Sequence, residues 1–263
     1  MAYVSGSILE GGQIVFCDPA TGRSQRTPYG VQLPVLAWSP DSRSLAFSGG
    51  NWKALLAALE KADGPEFCAP LAIVDVETQA LRDVVKEGAP FHDPLWSPDS
   101  SKLLFSLWKS MEGPPELWVI GADGTGAKKL LPAVGSALAC SPKGGLVAYT
   151  GVDDAPGLWV LTVADGKRRQ LLKTDVSTLC WPAKGAGLFY ATSDEGNAHA
   201  WLLRARDEKH LQLTTAGEVC DLYPSPDGKQ VAVVVTVVEG AGVDVRDRNE
   251  LYVLTLKGEA VAE

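Results

Sequence analysis

Asp93 and Asp221 are the carboxylates whose placement in this chain could do chemistry. Asp93 lies three residues before Trp96 and Asp221 three before Pro224, at matching points of two repeated segments whose other copies carry Val35, Ala137 and Ser177 there. Gathered at one end of a shared axis, with His92 beside the first, they would offer hard oxygen ligands to a cation or a basic ligand. Beside Pro94 and Tyr223 they equally suit solvated or backbone-capping roles, and both readings stand at this stage.

Little else is equipped for a reaction. The three histidines, His92, His199 and His210, fall in separate predicted connections, so no His-x-x-x-His metal pair exists. No Gly-x-Ser-x-Gly elbow is present. The stretch Gly121–Lys128 lacks the Gly-Lys-Ser/Thr of a phosphate loop and runs into an edge strand where such a loop opens a helix. The expectation is a non-enzymatic protein that carries no cofactor and no metal.

The elements that would hold the two aspartates are more legible. Five copies of one phrase read Leu36-Ala37-Trp38-Ser39-Pro40-Asp41, Leu95-Trp96-Ser97-Pro98-Asp99, Ala139-Cys140-Ser141-Pro142-Lys143, Leu179-Cys180-Trp181-Pro182-Ala183 and Leu222-Tyr223-Pro224-Ser225-Pro226-Asp227. The turn prolines are spaced by 58, 44, 40 and 44 residues. A near-constant period in this range marks an array of like units, none able to bury its apolar face alone. Behind each turn come two short β-rich runs (Leu103–Ser106 then Leu117–Ile120, for example), an Asp/Gly-rich turn, and a more polar run such as Lys128–Leu131. Four strands per unit, apolar inside and charged at the edge, describe the blade of a β-propeller.

The reading is therefore an all-β, six-bladed propeller occupying residues 1–263 as one domain. It has five full blades, preceded by a three-strand blade from Ala2–Ser5, Gln13–Gly22 and Ser24–Thr27 that lacks its inner strand. Residues 260–262 are one candidate for the missing strand.

The Trp-Ser-Pro-Asp phrase, a following Lys or small residue, an Ala-Phe strand and a Val-Asp-x-x-Gly-type turn resemble TolB-like repeats, and more loosely WD40-like propellers. The match is good in the units from 33 and 91, fair from 135 and 218, and poor from 175, where Trp181-Pro182-Ala183-Lys184 has lost Ser and Asp. The resemblance implies a six-bladed binding scaffold. Related blades occur in the non-catalytic domains of prolyl-oligopeptidase-type peptidases.

The net charge of −8 argues against a nucleic-acid or anionic-membrane surface. No apolar run approaches the length of a membrane span, and Met1–Ser5 lacks the layout of a signal peptide. A soluble monomer is expected, in the cytoplasm or, if a leader has been removed, outside it. Five cysteines form no C-x-x-C pair, and Cys140 and Cys180 replace the motif Trp, which suggests small buried hydrophobes in a reducing compartment.

The longest interval holds an insertion. Trp52, Leu55, Leu56 and Leu59 fall at i, i+3, i+4 and i+7, which predicts an amphipathic helix over 51–63, ended by Gly64-Pro65. In a propeller this insertion shares a face with the longer connections between second and third strands, among them the acidic stretches at Asp153-Asp154, Asp194-Glu195 and Asp244/Asp247. Binding residues concentrate on such loops, and the acids bias the face toward basic partners. The sequence thus points to a scaffold that binds a protein or peptide there. The alternatives are an accessory propeller that presents substrate to a separate enzyme, or a propeller with a small-molecule or cation site.

Overall fold

In the computed structural model the described residues are 2–7, 11–31, 35–48, 71–85, 93–108, 113–152, 155–182, 184, 187–192, 198–205, 207–215, 218–239 and 246–256. They form six antiparallel meanders and no helix. None of them therefore forms a helix long and apolar enough to cross a membrane. The helix expected over 51–63 falls outside the described residues.

The chain divides into two compact units. The first, Met1–Ala133, holds three sheets. Sheet one is β1 (Ala2–Ser7), β2 (Gly11–Cys17) and β3 (Ser24–Val31). Sheet two is β4 (Val35–Trp38), β5 (Ser44–Ser48), β6 (Leu71–Asp75) and β7 (Leu81–Val85). Sheet three is β8 (Leu95–Trp96), β9 (Lys102–Leu107), β10 (Glu116–Gly121) and β11 (Lys128–Leu131).

The second unit, Val134–Glu263, holds the other three. Sheet four is β12 (Leu138–Cys140), β13 (Leu146–Thr150), β14 (Leu158–Thr162) and β15 (Arg168–Leu172). Sheet five is β16 (Val176–Cys180), β17 (Gly187–Thr192), β18 (Ala200–Arg204) and β19 (His210–Gln212). Sheet six is β20 (Glu218–Pro224), β21 (Gln230–Glu239) and β22 (Arg246–Thr255). The first sheet has the three strands expected of it. The sixth, read from sequence as a complete unit, also shows three among the described residues, and residues 257–263 lie outside them.

Inner strands read as continuous apolar runs because both of their faces are covered. In the first unit Ile14 and Phe16 of sheet one pack with Leu45, Phe47, Ala72 and Val74 of sheet two. The other face of sheet two (Ala46, Leu71, Ile73) packs on Trp96, Leu103, Phe105 and Ile120 of sheet three. The second unit repeats the scheme. Ala148, Leu158 and Val160 of sheet four meet Leu179, Leu188 and Tyr190 of sheet five. Phe189, Ala191, Ala200 and Leu202 meet Val219, Leu222, Val231, Val233 and Val235 of sheet six. Every residue of β17 is buried, so period-two alternation vanishes there. Fully burying each large side chain stabilises by about 1.5–3 kcal/mol. The fourth strands β7, β11, β15 and β19 each mix polar or charged residues with apolar ones and are partly exposed, as solvated sheet edges should be.

The repeated phrase is a turn-sealing device. Ser42 N donates to Ser39 O at 2.8 Å, and Ser100 N to Ser97 O at 2.9 Å. Ser42 and Ser100 sit at φ 61° and 59°, and the equivalent positions in two other repeats are Gly144 and Gly228 at 72° and 67°. That left-handed backbone suits the two glycines, and Ser42 and Ser100 adopt it at the same place. The Ser39, Ser97 and Ser225 hydroxyls each donate to the Asp two residues on at 2.6 Å. The same hydroxyls accept the first amides of the next strand, from Ser44, Lys102 and Gln230, each at 2.9 Å. These bonds hold the Asp41, Asp99 and Asp227 carboxyls below the ordinary range, Asp99 at about 2. The motif Trp is structural too: Trp96 Nε1 donates to Ala37 O of the preceding sheet at 2.9 Å, and Trp38 meets Phe16 edge-on at 5.6 Å.

Candidate functional site

Register decides which residues share the position of the two aspartates. Val35 faces Ser48 and Asp221 faces Val234 across the first and second strands. Asp93 bonds Ser106, its N donating to Oγ at 3.3 Å, and Thr150 N donates to Ala137 O. In sheet five the residue facing Ala191 is Thr178, because a bulge between Val176 and Thr178 leaves Ser177 over. Thr178 therefore replaces Ser177 as the equivalent. Counting back from the proline misplaced it, since Pro182 follows Trp181 directly where the other repeats carry a serine between, which brings the proline one residue nearer the strand.

The bulge correction brings two equivalent residues together. Thr178 Oγ1 on β16 donates to Asp221 Oδ1 on β20 at 3.4 Å, linking the first strands of neighbouring sheets within the second unit. Leu222 N donates to the same oxygen at 2.9 Å, and the Tyr223 hydroxyl donates to Oδ2. Those contacts push the Tyr223 hydroxyl up, the Asp221 hydrogen bond first among the causes. Asp221 is thus a strand-capping carboxylate with a tyrosine over it. Asp93, in the first unit, takes a weak bond from Ser106 Oγ at 3.4 Å. His92, Trp52, Leu55, Leu56 and Leu59 lie outside the described residues, as do most of the acidic stretches. Among the described residues no group of three or more His, Cys, Asp or Glu is arranged to hold a metal ion.

Cys140, in the motif Trp position, is half-buried and less enclosed than expected; Cys180 is half-buried too, but the register moves it one place short of that position, which falls to Trp181. Desolvation, with Asp221 nearby, still pushes the Cys180 thiol up to about 12. Among the described cysteines the exposed one is Cys220, the residue extruded by the bulge between Val219 and Asp221.

Sequence reasoning missed the surface of the sixth sheet. Leu251, Val253 and Tyr223 project from one face and are 66%, 60% and 57% exposed, and Tyr252 on the other face is 49% exposed. In the third strands of sheets two to five, the equivalents of Leu251 (Leu71, Leu117, Leu158 and Ala200) are all at 0%. Leu251–Leu254 has the pattern of any third strand, so composition gave no warning.

No protein-family model matches the chain, and no curated protein does. Solved structures do. TolB from Acinetobacter baumannii aligns over 97% of this chain and 60% of its own, with 18% identity and a TM-score of 0.64. An oligogalacturonate lyase in complex with manganese aligns over 98% and 75%, with 18% identity and a TM-score of 0.68. The β-propeller domain of the Trilobed protease from Pyrococcus furiosus, which has an open velcro topology, aligns over 96% and 76%, with 14% identity and a TM-score of 0.66. The chain thus spans three-fifths of the TolB chain. At these identities the likeness shows the fold: a TolB-like β-propeller.

Proposed function

We propose that this chain is a non-enzymatic propeller scaffold that binds a protein or peptide partner. The observation that carries the reading is where apolar surface is left in water. Of the six large apolar side chains exposed among the described residues, Tyr223, Leu251, Tyr252 and Val253 belong to the sixth sheet. Tyr223, Leu251 and Val253 share one face, and exposed apolar surface gathered in this way is the usual mark of a macromolecular contact. The recurrent polar groups, by contrast, are engaged in sealing turns and capping strands, which leaves them no evident role toward a ligand. TolB among the structural neighbours is compatible with a scaffold, and the lyase and the protease domain show that the fold also occurs in enzymes.

The test compares the wild-type chain with a Leu251→Ser/Val253→Ser double variant. Both are used as bait in native lysate, with bound proteins identified by mass spectrometry. The expected result is at least one protein retained by the wild type and lost by the variant, whose melting temperature is unchanged. Identical captured sets would remove the support for this surface.

A further inference from the structure

We propose that the outer edge of β22 accepts an added strand from a partner, a short extended segment carrying a lysine or arginine followed by apolar residues. This deepens the scaffold reading and rests on it. Among the described residues β22 pairs on one side alone, with β21, whereas β6, β10, β14 and β18 each pair with a fourth strand on the other. Its outer backbone donors and acceptors are laid out for a further antiparallel strand.

The third sheet shows what such a strand should look like. Glu116-Leu117-Trp118-Val119 of β10 matches Glu250-Leu251-Tyr252-Val253 of β22, residue for residue in chemical type. Trp118 Nε1 donates to Glu116 Oε2 at 2.8 Å, and the Tyr252 hydroxyl donates to Glu250 Oε2 in the same way. In β10 the other carboxylate oxygen holds Lys129 of the fourth strand at 3.1 Å. Lys129 faces Trp118, and Leu131 faces Leu117. In β22 the corresponding oxygen, Glu250 Oε1, is taken by Arg248 at 2.6 Å, a side chain 57% exposed. An incoming cation opposite Tyr252 can replace Arg248 there, and an apolar residue two positions later would cover Leu251. Two of the chain's own fourth strands carry this order, Lys128-Lys129-Leu130-Leu131 and Arg168-Arg169-Gln170-Leu171-Leu172.

The experiment uses the full chain and a fluorescent synthetic peptide copying residues 126–133. Controls are the same peptide with alternate backbone amides N-methylated, and a version with both lysines changed to glutamate. Saturable binding below about 1 mM is expected, lost on N-methylation, with exchange protection appearing over 246–255. Glu250→Lys should weaken the lysine peptide at least tenfold and bind the glutamate peptide better than the wild type does, a reversal that a merely structural role would not give. The proposal is overturned by no saturation on folded protein, or by equal binding of the N-methylated peptide. It is also overturned by protection at 116–121 instead, or by amides of 246–255 already protected in the free chain, whether by its own segment or by a second copy. Should the peptide fail while capture still depends on Leu251 and Val253, the edge falls and the scaffold reading stands.

Discussion

Sheets five and six are built to one register, yet they differ in what covers them. Leu179 faces Tyr190 and Leu222 faces Val233, and the third-strand partners of those two residues are Trp201 and Tyr252. On sheet five, the face bearing Phe189, Ala191, Ala200 and Leu202 is sealed by sheet six. On sheet six, the same positions are Ala232, Val234, Leu251 and Val253, and the last two stand in water. The pattern that makes a blade stackable is therefore present whether or not anything is stacked on it. An apolar face records what the sequence can bury, and only the neighbours decide whether it is buried.

The largest effect expected from this contrast is in thiol chemistry. Cys180 on β16 and Tyr223 on β20 occupy equivalent positions, facing Phe189 and Ala232. Burial, with Asp221 adding negative charge, pushes the Cys180 thiol up to about 12. Near neutral pH that cuts its thiolate fraction roughly a thousandfold against an ordinary cysteine. In a Cys220→Ser background, a Tyr223→Cys variant should label with a disulfide reagent at the rate of a solvated thiol. Cys180 should then trail it by two to three orders of magnitude, about the factor its thiolate fraction sets. Comparable rates for the two sites would erase the distinction between covered and open faces.

Stability should divide along the same line. Leu202 is at 0% exposure and its counterpart Val253 at 60%. Leu202→Ala should cost about 2–5 kcal/mol in denaturant-induced unfolding, since it empties a sealed core position. Val253→Ala should stay within about 0.5 kcal/mol. A cost above about 1.5 kcal/mol at Val253 would mean that the sixth sheet is covered in solution.

Most of the fold was legible in the sequence, because each unit carries its own punctuation. Ser-Pro-Asp marks a turn, and a strand buried on both faces must be apolar throughout, so Leu45-Ala46-Phe47 and Leu103-Leu104-Phe105 declared themselves. The candidate site was much less legible. Ser177 was assigned to the aspartate position because the count ran back from Pro182, which stands one residue nearer the strand where the motif serine is missing; hydrogen-bond register moves the position to Thr178. The exposure of Leu251 was invisible for the reason given above. Asp93 and Asp221 were singled out correctly as register equivalents, yet Asp221 spends its oxygens on Thr178, Leu222 and Tyr223.

The smallest expected difference lies in the turns of the two sheets. Sheet six enters β21 through Ser225-Pro226-Asp227-Gly228, with Ser225 Oγ bonded to Asp227 and to Gln230 N; sheet five has Trp181-Pro182-Ala183-Lys184 at that point and no such pair. Ser225→Ala removes both bonds and should cost roughly 0.5–1.5 kcal/mol at neutral pH. Part of that cost should depend on acid. The Ser225 hydroxyl, then the Lys229 amide, hold the Asp227 carboxyl below its ordinary value of 3.8. A carboxyl lowered in the folded state contributes stability that is fully present above the unfolded value and fades as pH falls through the folded one. The gap between wild type and Ser225→Ala should therefore be constant from pH 7 to about 5 and narrow below about 4, when Asp227 takes up its proton. Ala183→Asp in sheet five should produce no matching acid-sensitive gain, because no serine precedes Pro182 to share the bond. A gap that stays level down to pH 2 would show that the hydroxyl's bond to Gln230 N, and not its bond to the carboxylate, holds the turn.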